Sequence, residues 1–334
     1  MKHVKRVAII LFLVGLAGAI ALILWQGAEA VFASLAAGGL GLFGMIPLFV
    51  PPLLAAVLGW WLLFPVDCRP GFGTAFYAGW LGQAMNSLLP VAQVGGEIVK
   101  ARIVAGKGLP GAIAGAASVV DKTAQAIAQM LSALIGMALL SVIAKAQGQM
   151  LLAMAAATVI ICALIYGFYR VQKAGLFPLL ARIIKKLADL AAKGKTSNRL
   201  ESLTGGAQAM ETAIQEIYGR RLAFLLACLL RLANRLLMAA EIWLALWLIG
   251  YPVTLAEALL LDSLNQTARS AAFFVPGGLG VQEGSFVLIG LLIGLPPSAA
   301  LAASLARRGR EIITGVPVLL AWNWAELKTL LASR

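Results

Sequence analysis

The chain has 334 residues, 61% of them hydrophobic and only 12% charged, with a mean hydropathy of +0.91. A soluble globular domain has no way to hide that much apolar surface, so the composition selects a polytopic membrane protein. A formal net charge of +13 would point to nucleic acid in a soluble chain, but here the basic residues gather in a few loops and inside apolar segments, where membrane topology and anionic lipid account for them.

In chain order, Lys2, Lys5 and Arg6 precede an apolar run over 7–25 that is longer than a usual signal-peptide core. An uncleaved first span is expected, although Ala28-Glu29-Ala30 would also suit a signal peptidase. Further full spans are expected over 36–64, 110–143, 150–169, 221–250 and 298–324. Two other segments, 73–106 and 255–294, are apolar but broken midway by Pro and Gly. Each is read as a re-entrant pair of half-helices, because irregular backbone at membrane depth survives only beside protein or a water-filled cavity. Two complete crossings in each segment would leave the termini on the same sides. The fold class is therefore an all-α polytopic membrane protein: six spanning helices and two re-entrant pairs in one domain over 1–334.

Orientation follows from Lys and Arg. The 170–220 segment holds Arg170, Lys173, Arg182, Lys185, Lys186 and Lys193, which places it in the cytoplasm together with both termini. The 26–35 connector has no Lys or Arg and is expected outside. Within the basic segment, Phe177, Leu180, Ile183, Ile184, Leu187 and Leu190 share one helical face, and Arg182, Lys185, Lys186, Asp189 and Lys193 share another. That is the pattern of a basic amphipathic helix lying on anionic lipid. A solvated connector packed on the protein is the plainer alternative.

An internal repeat links the two broken segments. Pro90–Lys122 aligns without a gap to Pro276–Arg308 at an offset of 186, with ten of 33 positions identical. Both copies place Pro and Glu seven apart (Pro90 and Glu97, Pro276 and Glu283) and then Gly-Leu-Pro at 108–110 or 294–296. Three spans separate the broken segments, so the repeat halves, 73–143 and 255–324, should be inverted and share a central site.

Two groups of residues stand out as that site. The run Pro276-Gly277-Gly278-Leu279-Gly280 frees the chain to start a new helix, with Glu283 in its first turn, and 90–96 repeats the device before Glu97. Helix N-termini present unpaired N–H groups that suit an anion. Glu97 and Glu283 have two open roles: capping their own helices, or handling a ligand or proton. The second group is charge inside the spans. It comprises Asp121 and Lys122, a stripe of Arg231, Asn234, Arg235, Met238 and Glu241, the common face of Asp262, Asn265 and Arg269, and Arg307, Arg308, Arg310 and Glu311. Each such charge costs about 2.5–3.5 kcal/mol on insertion scales, so it should face the interior and find a partner. Mutual neutralisation accounts for some of them. The surplus of arginine over acid in the second half would leave a cationic cavity for an anionic headgroup, which guanidinium grips bidentately. Arg221 and Arg231, nearer the cytoplasmic end, are expected to snorkel.

Catalytic patterns are missing. Three scattered cysteines (Cys68, Cys162, Cys228) and one histidine (His3) make neither a metal cluster nor a disulfide framework. No nucleotide-phosphate loop is present, and Gly277-Gly278-Leu279-Gly280 follows an apolar segment rather than a strand. No cofactor is expected, and no enzyme activity.

Asn86-Ser87-Leu88-Leu89-Pro90, Gly95-Gly96-Glu97, Asp121-Lys122, the run from Pro276 through Val281-Gln282 to Glu283, and Arg308 resemble the transmembrane region of the lysylphosphatidylglycerol synthase/flippase family. The likeness covers most of the chain. Full-length members continue into a soluble aminoacyl-transfer domain, whereas this chain stops at Arg334, so the resemblance implies the flippase half without synthase activity. Many members carry Arg where Lys122 stands, which keeps the charge but not the bidentate geometry. Chain length, Gly95-Gly96-Glu97 and Val119-Val120-Asp121-Lys122 are also similar to a stand-alone, hopanoid-biosynthesis-associated branch. That implies a bacterial inner-membrane protein handling a hopanoid or a related lipid.

The expected function is movement of an amphiphilic lipid between leaflets. Arg269, Arg307, Arg308 and Arg310 would contact the headgroup, with Arg235, Asn234, Asn86, Gly277, Gly278 and Gly280 beside them. Glu97, Glu283, Asp121, Lys122, Glu241 and Glu311 would cap helices or carry protons or ions. A second copy of the chain and a lipid-biosynthesis enzyme are open as partners. The rivals are a small-anion secondary transporter and an accessory subunit or enzyme of membrane-lipid biosynthesis.

Overall fold

A computed structural model describes residues 27–89, 95–143, 197–272 and 275–332, with isolated positions in 17–25 and 152–167. Every regular element among them is helical. The predicted spans over 7–25 and 150–169 and the amphipathic face over 177–190 lie outside the described residues, apart from isolated helical positions in the first two.

The first stretch is α1 (Ala28–Gly38), a 3-10 turn (Gly39–Gly44), α2 (Met45–Leu48) and α3 (Val50–Leu62). The 26–35 stretch, expected as a connector without Lys or Arg, is thus mostly helix. Ala and Leu favour helix, Glu29 in the first turn suits its N-terminus, and nothing interrupts until Gly39, whose φ is +49°. Pro51 and Pro52 then fall at the start of α3, where their missing N–H groups cost nothing.

The first broken segment becomes α4 (Phe72–Leu88) and α5 (Gly95–Ala105), followed by α6 (Gly111–Ile143). After α7 (Ser197–Gly219) and α8 (Arg221–Ile249), the second becomes α9 (Leu255–Ala271), a short Pro276–Gly278 turn and α10 (Val281–Leu292), followed by α11 (Pro297–Ala332). Ala28–Leu62, Gly111–Ile143 and Arg221–Ile249 are long and apolar enough to cross a bilayer. The chain is an all-α membrane protein. α11 is equally long, but Arg307, Arg308, Arg310 and Glu311 in its middle lower its hydropathy.

α8 is the hub, packing on α3, α6, α9 and α11. Around it, the opening helix of one broken segment packs on the long helix that follows the other: α4 on α11, and α9 on α6. The apolar core has two main parts. Leu53, Val57, Trp60 and Phe64 meet Val120, Ile214 and Ile217 on one side, while Ile242, Leu246, Leu261, Phe286 and Leu301 form the other. Membrane helices gain little from expelling lipid and depend on close approach, which small residues permit. Gly136 is one such place, since a Cβ there would lie 2.8 Å from the Cβ of Ser263.

The tightest approach joins α4 to α5. A Cβ on Gly96 would collide with the Gly82 carbonyl and come within 2.7 Å of the Asn86 amide. The same closeness lets Asn86 Oδ1 accept the Gly96 N–H at 2.9 Å, so a side chain of α4 caps the start of α5. Gly96→Val should therefore cost at least the ~1–3 kcal/mol of an overpacked core. Thermal unfolding in detergent measures it: a clear drop is expected for Gly96→Val and none for Gly73→Ala, where the added methyl meets open space.

Candidate functional site

Seven helices enclose a polar chamber holding about 870 Å³ of empty space, its mouth included. Leu53, Ala56, Val57 and Trp60 of α3 form its apolar wall, and Gln83, Asn86 and Ser87 of α4 begin the polar one. The remaining wall comes from Glu97 and Lys100 (α5), Lys122 and Gln125 (α6), Arg231, Asn234 and Arg235 (α8), Gln266 and Arg269 (α9), and Arg307 and Glu311 (α11).

The charges fall into alternating chains. In the first, Arg231 binds Asp121 through Nε at 2.8 Å and through Nη2 as well. Lys100 Nζ reaches Asp121 Oδ2 at 2.7 Å and Glu97 Oε2 at 2.6 Å, and Lys122 meets the other Glu97 oxygen at 3.3 Å. Lys100 also lies over the Trp60 ring, 4.7 Å from its centre. Asp121 is 1% exposed and Lys100 4%, so these contacts substitute for water that is absent. Asp121 thereby ties α5 and α8 to α6.

In the second chain Arg310 grips Glu241 with two bonds, at 2.5 and 2.8 Å, and lies over Phe49 at 4.3 Å. Arg307 bridges Asp262 at 2.7 Å and Glu241 at 3.9 Å. A third chain runs from Arg269 through Glu311 (3.3 Å) to Arg308 (3.4 Å) and Glu283 (3.2 Å). Eight cations and six carboxylates take part when Arg235 is included, which leaves 8 − 6 = 2 positive charges over.

Of the residues read as headgroup contacts, Arg235, Arg269, Arg307, Asn234 and Asn86 line the chamber. Arg308 and Arg310 are not among its lining residues. Arg310 is held by Glu241, and Arg308 donates to the Gly277 carbonyl at 2.8 Å as well as to its carboxylates. Gly277, Gly278 and Gly280 stand behind the wall too. Their φ values of +63°, +61° and +76° are the left-handed conformations that a side chain resists. A Cβ on Gly277 would lie 3.2 Å from the Ser87 carbonyl, so this bend rests on the end of α4, three residues before Pro90.

Glu283 caps its helix: Oε2 accepts the Gly280 N–H at 2.8 Å while Oε1 holds Arg308. Glu97 is engaged by two lysines, and the backbone just before its helix lies outside the described residues. Arg231 does not snorkel as expected. It is buried because Asp121 faces it from α6 and offers a nearer counter-charge than the interface. Arg221 is exposed. Lys100 was not singled out from sequence, although its position three residues after Glu97 on the same helix is the available signal. Gln83, Gln125 and Gln266 carried no signal of their own.

Removing one member of a buried pair leaves the other uncompensated. Asp121→Asn should lower stability by about 3 kcal/mol or more, and adding Arg231→Gln should recover part of the loss. Thermal or denaturant unfolding of the purified single and double variants measures this coupling. Additive losses would mean that Arg231 and Asp121 do not depend on each other.

No curated protein and no solved structure matches the chain. A family profile described as the lysylphosphatidylglycerol synthase TM region matches residues 9–320, nearly the whole length. Within that stretch, Glu97 of the Gly95-Gly96-Glu97 motif lines the chamber, and the Pro276–Glu283 run makes the bend that meets the end of α4. The chain belongs to the lysylphosphatidylglycerol synthase transmembrane-region family.

Proposed function

We propose that this protein moves an amphiphilic lipid between the leaflets of a bacterial inner membrane, the headgroup crossing through the charged chamber while the tails stay in hydrocarbon. One observation carries the reading. Six basic side chains (Lys100, Lys122, Arg231, Arg235, Arg269, Arg307) face two acidic ones (Glu97, Glu311) around empty space in the interior of a membrane-protein bundle. A headgroup in hydrocarbon loses its hydration, and fixed donors along a chamber replace it. Membership of a family named for a lipid-modifying enzyme's membrane region agrees with a lipid substrate. The resemblance to the hopanoid-associated branch makes a lipid of that metabolism the narrower candidate.

Alternating access is the mechanism that fits best. α4, α5, α9 and α10 have 17, 11, 17 and 12 residues, short of the ~20 needed for an upright crossing, which supports re-entrant pairs. The reciprocal packing of α4 on α11 and α9 on α6 supports inverted halves over 73–143 and 255–324. So does a matching ion pair in each: Glu97–Lys122 and Glu283–Arg308 sit 283 − 97 = 308 − 122 = 186 positions apart. Rocking of one half against the other would carry the chamber from one face to the other. Arg269 and Arg307 then meet the headgroup, while Arg308 and Arg310 brace α11. With 170–220 in the cytoplasm, both termini lie there as well.

The test is transfer of a tail-labelled fluorescent phospholipid across proteoliposome membranes, followed by quenching of the outer leaflet. The wild type should move it faster than protein-free vesicles do. Gln125→Trp, which fills the chamber from α6, should return the rate to that background. Absence of lipid transfer alongside uptake of a soluble anion would reassign the chamber to a small-anion transporter.

A further inference from the structure

We propose that Arg235, held by Asn234, is an oxyanion subsite in the chamber wall that takes a phosphate group of the ligand. This deepens the transport reading and rests on it only for the claim that the ligand travels.

The observation is an imbalance among the chamber's cations. Lys100, Lys122, Arg231, Arg269 and Arg307 each lie within 4.0 Å of a carboxylate. Arg235 lines the same space and meets none among the described residues. Its hydrogen bonds go to the neutral Asn234 instead, with Nε at 3.3 Å and Nη2 at 3.2 Å from Oδ1. Its third nitrogen, Nη1, is buried without any acceptor.

Asn234 is fixed in turn. Its Nδ2 donates to the Pro52 carbonyl on α3 at 2.8 Å. That carbonyl only accepts, so the amide cannot flip, and Oδ1 must face Arg235. The guanidinium is thus clamped from one side by two long bonds, while an unused N–H remains. A bound oxyanion would satisfy Nη1 and compete for Nη2, making the two parallel bonds that a guanidinium fork favours.

Charge balance points the same way. The four cations Arg269, Arg307, Arg308 and Arg310 are matched by Glu241, Asp262, Glu283 and Glu311. Lys100, Lys122 and Arg231 exceed Glu97 and Asp121 by one, and Lys122 is the partly exposed member. The other unmatched charge is Arg235. A phosphodiester or phosphate brings the missing negative charge, and its several oxygens suit donors that also line the chamber: Lys122 and Gln125 from α6 and Gln266 from α9.

Binding to the full-length protein in detergent tests the subsite, with dioctanoyl phosphatidylglycerol, inorganic phosphate and phosphate-free dioctanoylglycerol as probes. Arg235→Gln should weaken the phosphatidylglycerol about tenfold or more, a loss of one charge-assisted contact. Arg235→Lys should fall between, and dioctanoylglycerol should bind all three proteins alike. Arg235→Gln should melt no earlier than the wild type, because it removes a buried charge that touches no carboxylate among the described residues; if it does melt earlier, Arg235→Lys decides, and failure of the retained charge to support binding overturns the subsite. Competition by inorganic phosphate would name a soluble phosphate as the source, and its failure to compete a lipid headgroup. Unchanged phosphatidylglycerol binding by Arg235→Gln overturns the proposal. Lipid transfer that persists in that variant leaves transport standing without this subsite, whereas Arg235-dependent binding without transfer leaves the subsite standing without transport.

Discussion

The interior depends on charge alternation. Each buried cation beside the chamber except Arg235 touches a carboxylate from another turn or another helix, and each carboxylate in the network bridges or grips guanidinium or ammonium groups. Taking any one of these ions out of water alone would cost several kcal/mol, and pairing offsets that cost only where the geometry is close. The helices therefore sit where the pairs place them. Asp121 joins α6 to α5 and α8, Glu241 joins α8 to α11, and Glu311 draws α9 to α11. Apolar packing then fills the space around this frame, with small residues where backbones come closest.

Such a frame is rigid locally and exchangeable globally. Ion pairs between helices resist separation, yet a sliding helix can trade one counter-charge for the next along a row. Glu311 already shares Arg269 and Arg308, and Glu97 shares Lys100 and Lys122. A headgroup entering the chamber would join that exchange as one more ion. Bridged carboxylates of this kind suit a passage whose two faces open in turn.

Much of this was legible in the sequence because helical periodicity is local. The spacing of Arg231, Asn234, Met238 and Glu241 places them on one stripe of α8, and all four are buried. The Pro and Gly breaks mark where α4 gives way to α5 and α9 to α10, since such residues end helices whatever the surroundings. Partner choice was not legible, because it depends on the register between helices far apart in the chain. Arg231 reads as a snorkelling residue until Asp121, 110 positions away, is seen opposite it. Arg308 and Arg310 read as ligand contacts from their charge alone, but two residues of rotation on α11, about 200°, direct Arg310 to Glu241 and Arg308 to Gly277 and Glu283. Lys100 lies in a short helix that also carries Glu97 and Arg102, so its charge alone does not mark it out, and residues 28–35 read as a connector because a lack of Lys and Arg is a weaker signal than helix propensity.

The central claim is that a headgroup-sized chamber persists among these paired charges and is filled by lipid. A structure determined in nanodiscs of native bacterial lipid tests it most directly. The account predicts headgroup density between α4, α6, α8 and α9, with its tails leaving toward the bilayer. A chamber collapsed onto a direct contact between Arg235 and a carboxylate, with no density inside, would contradict it.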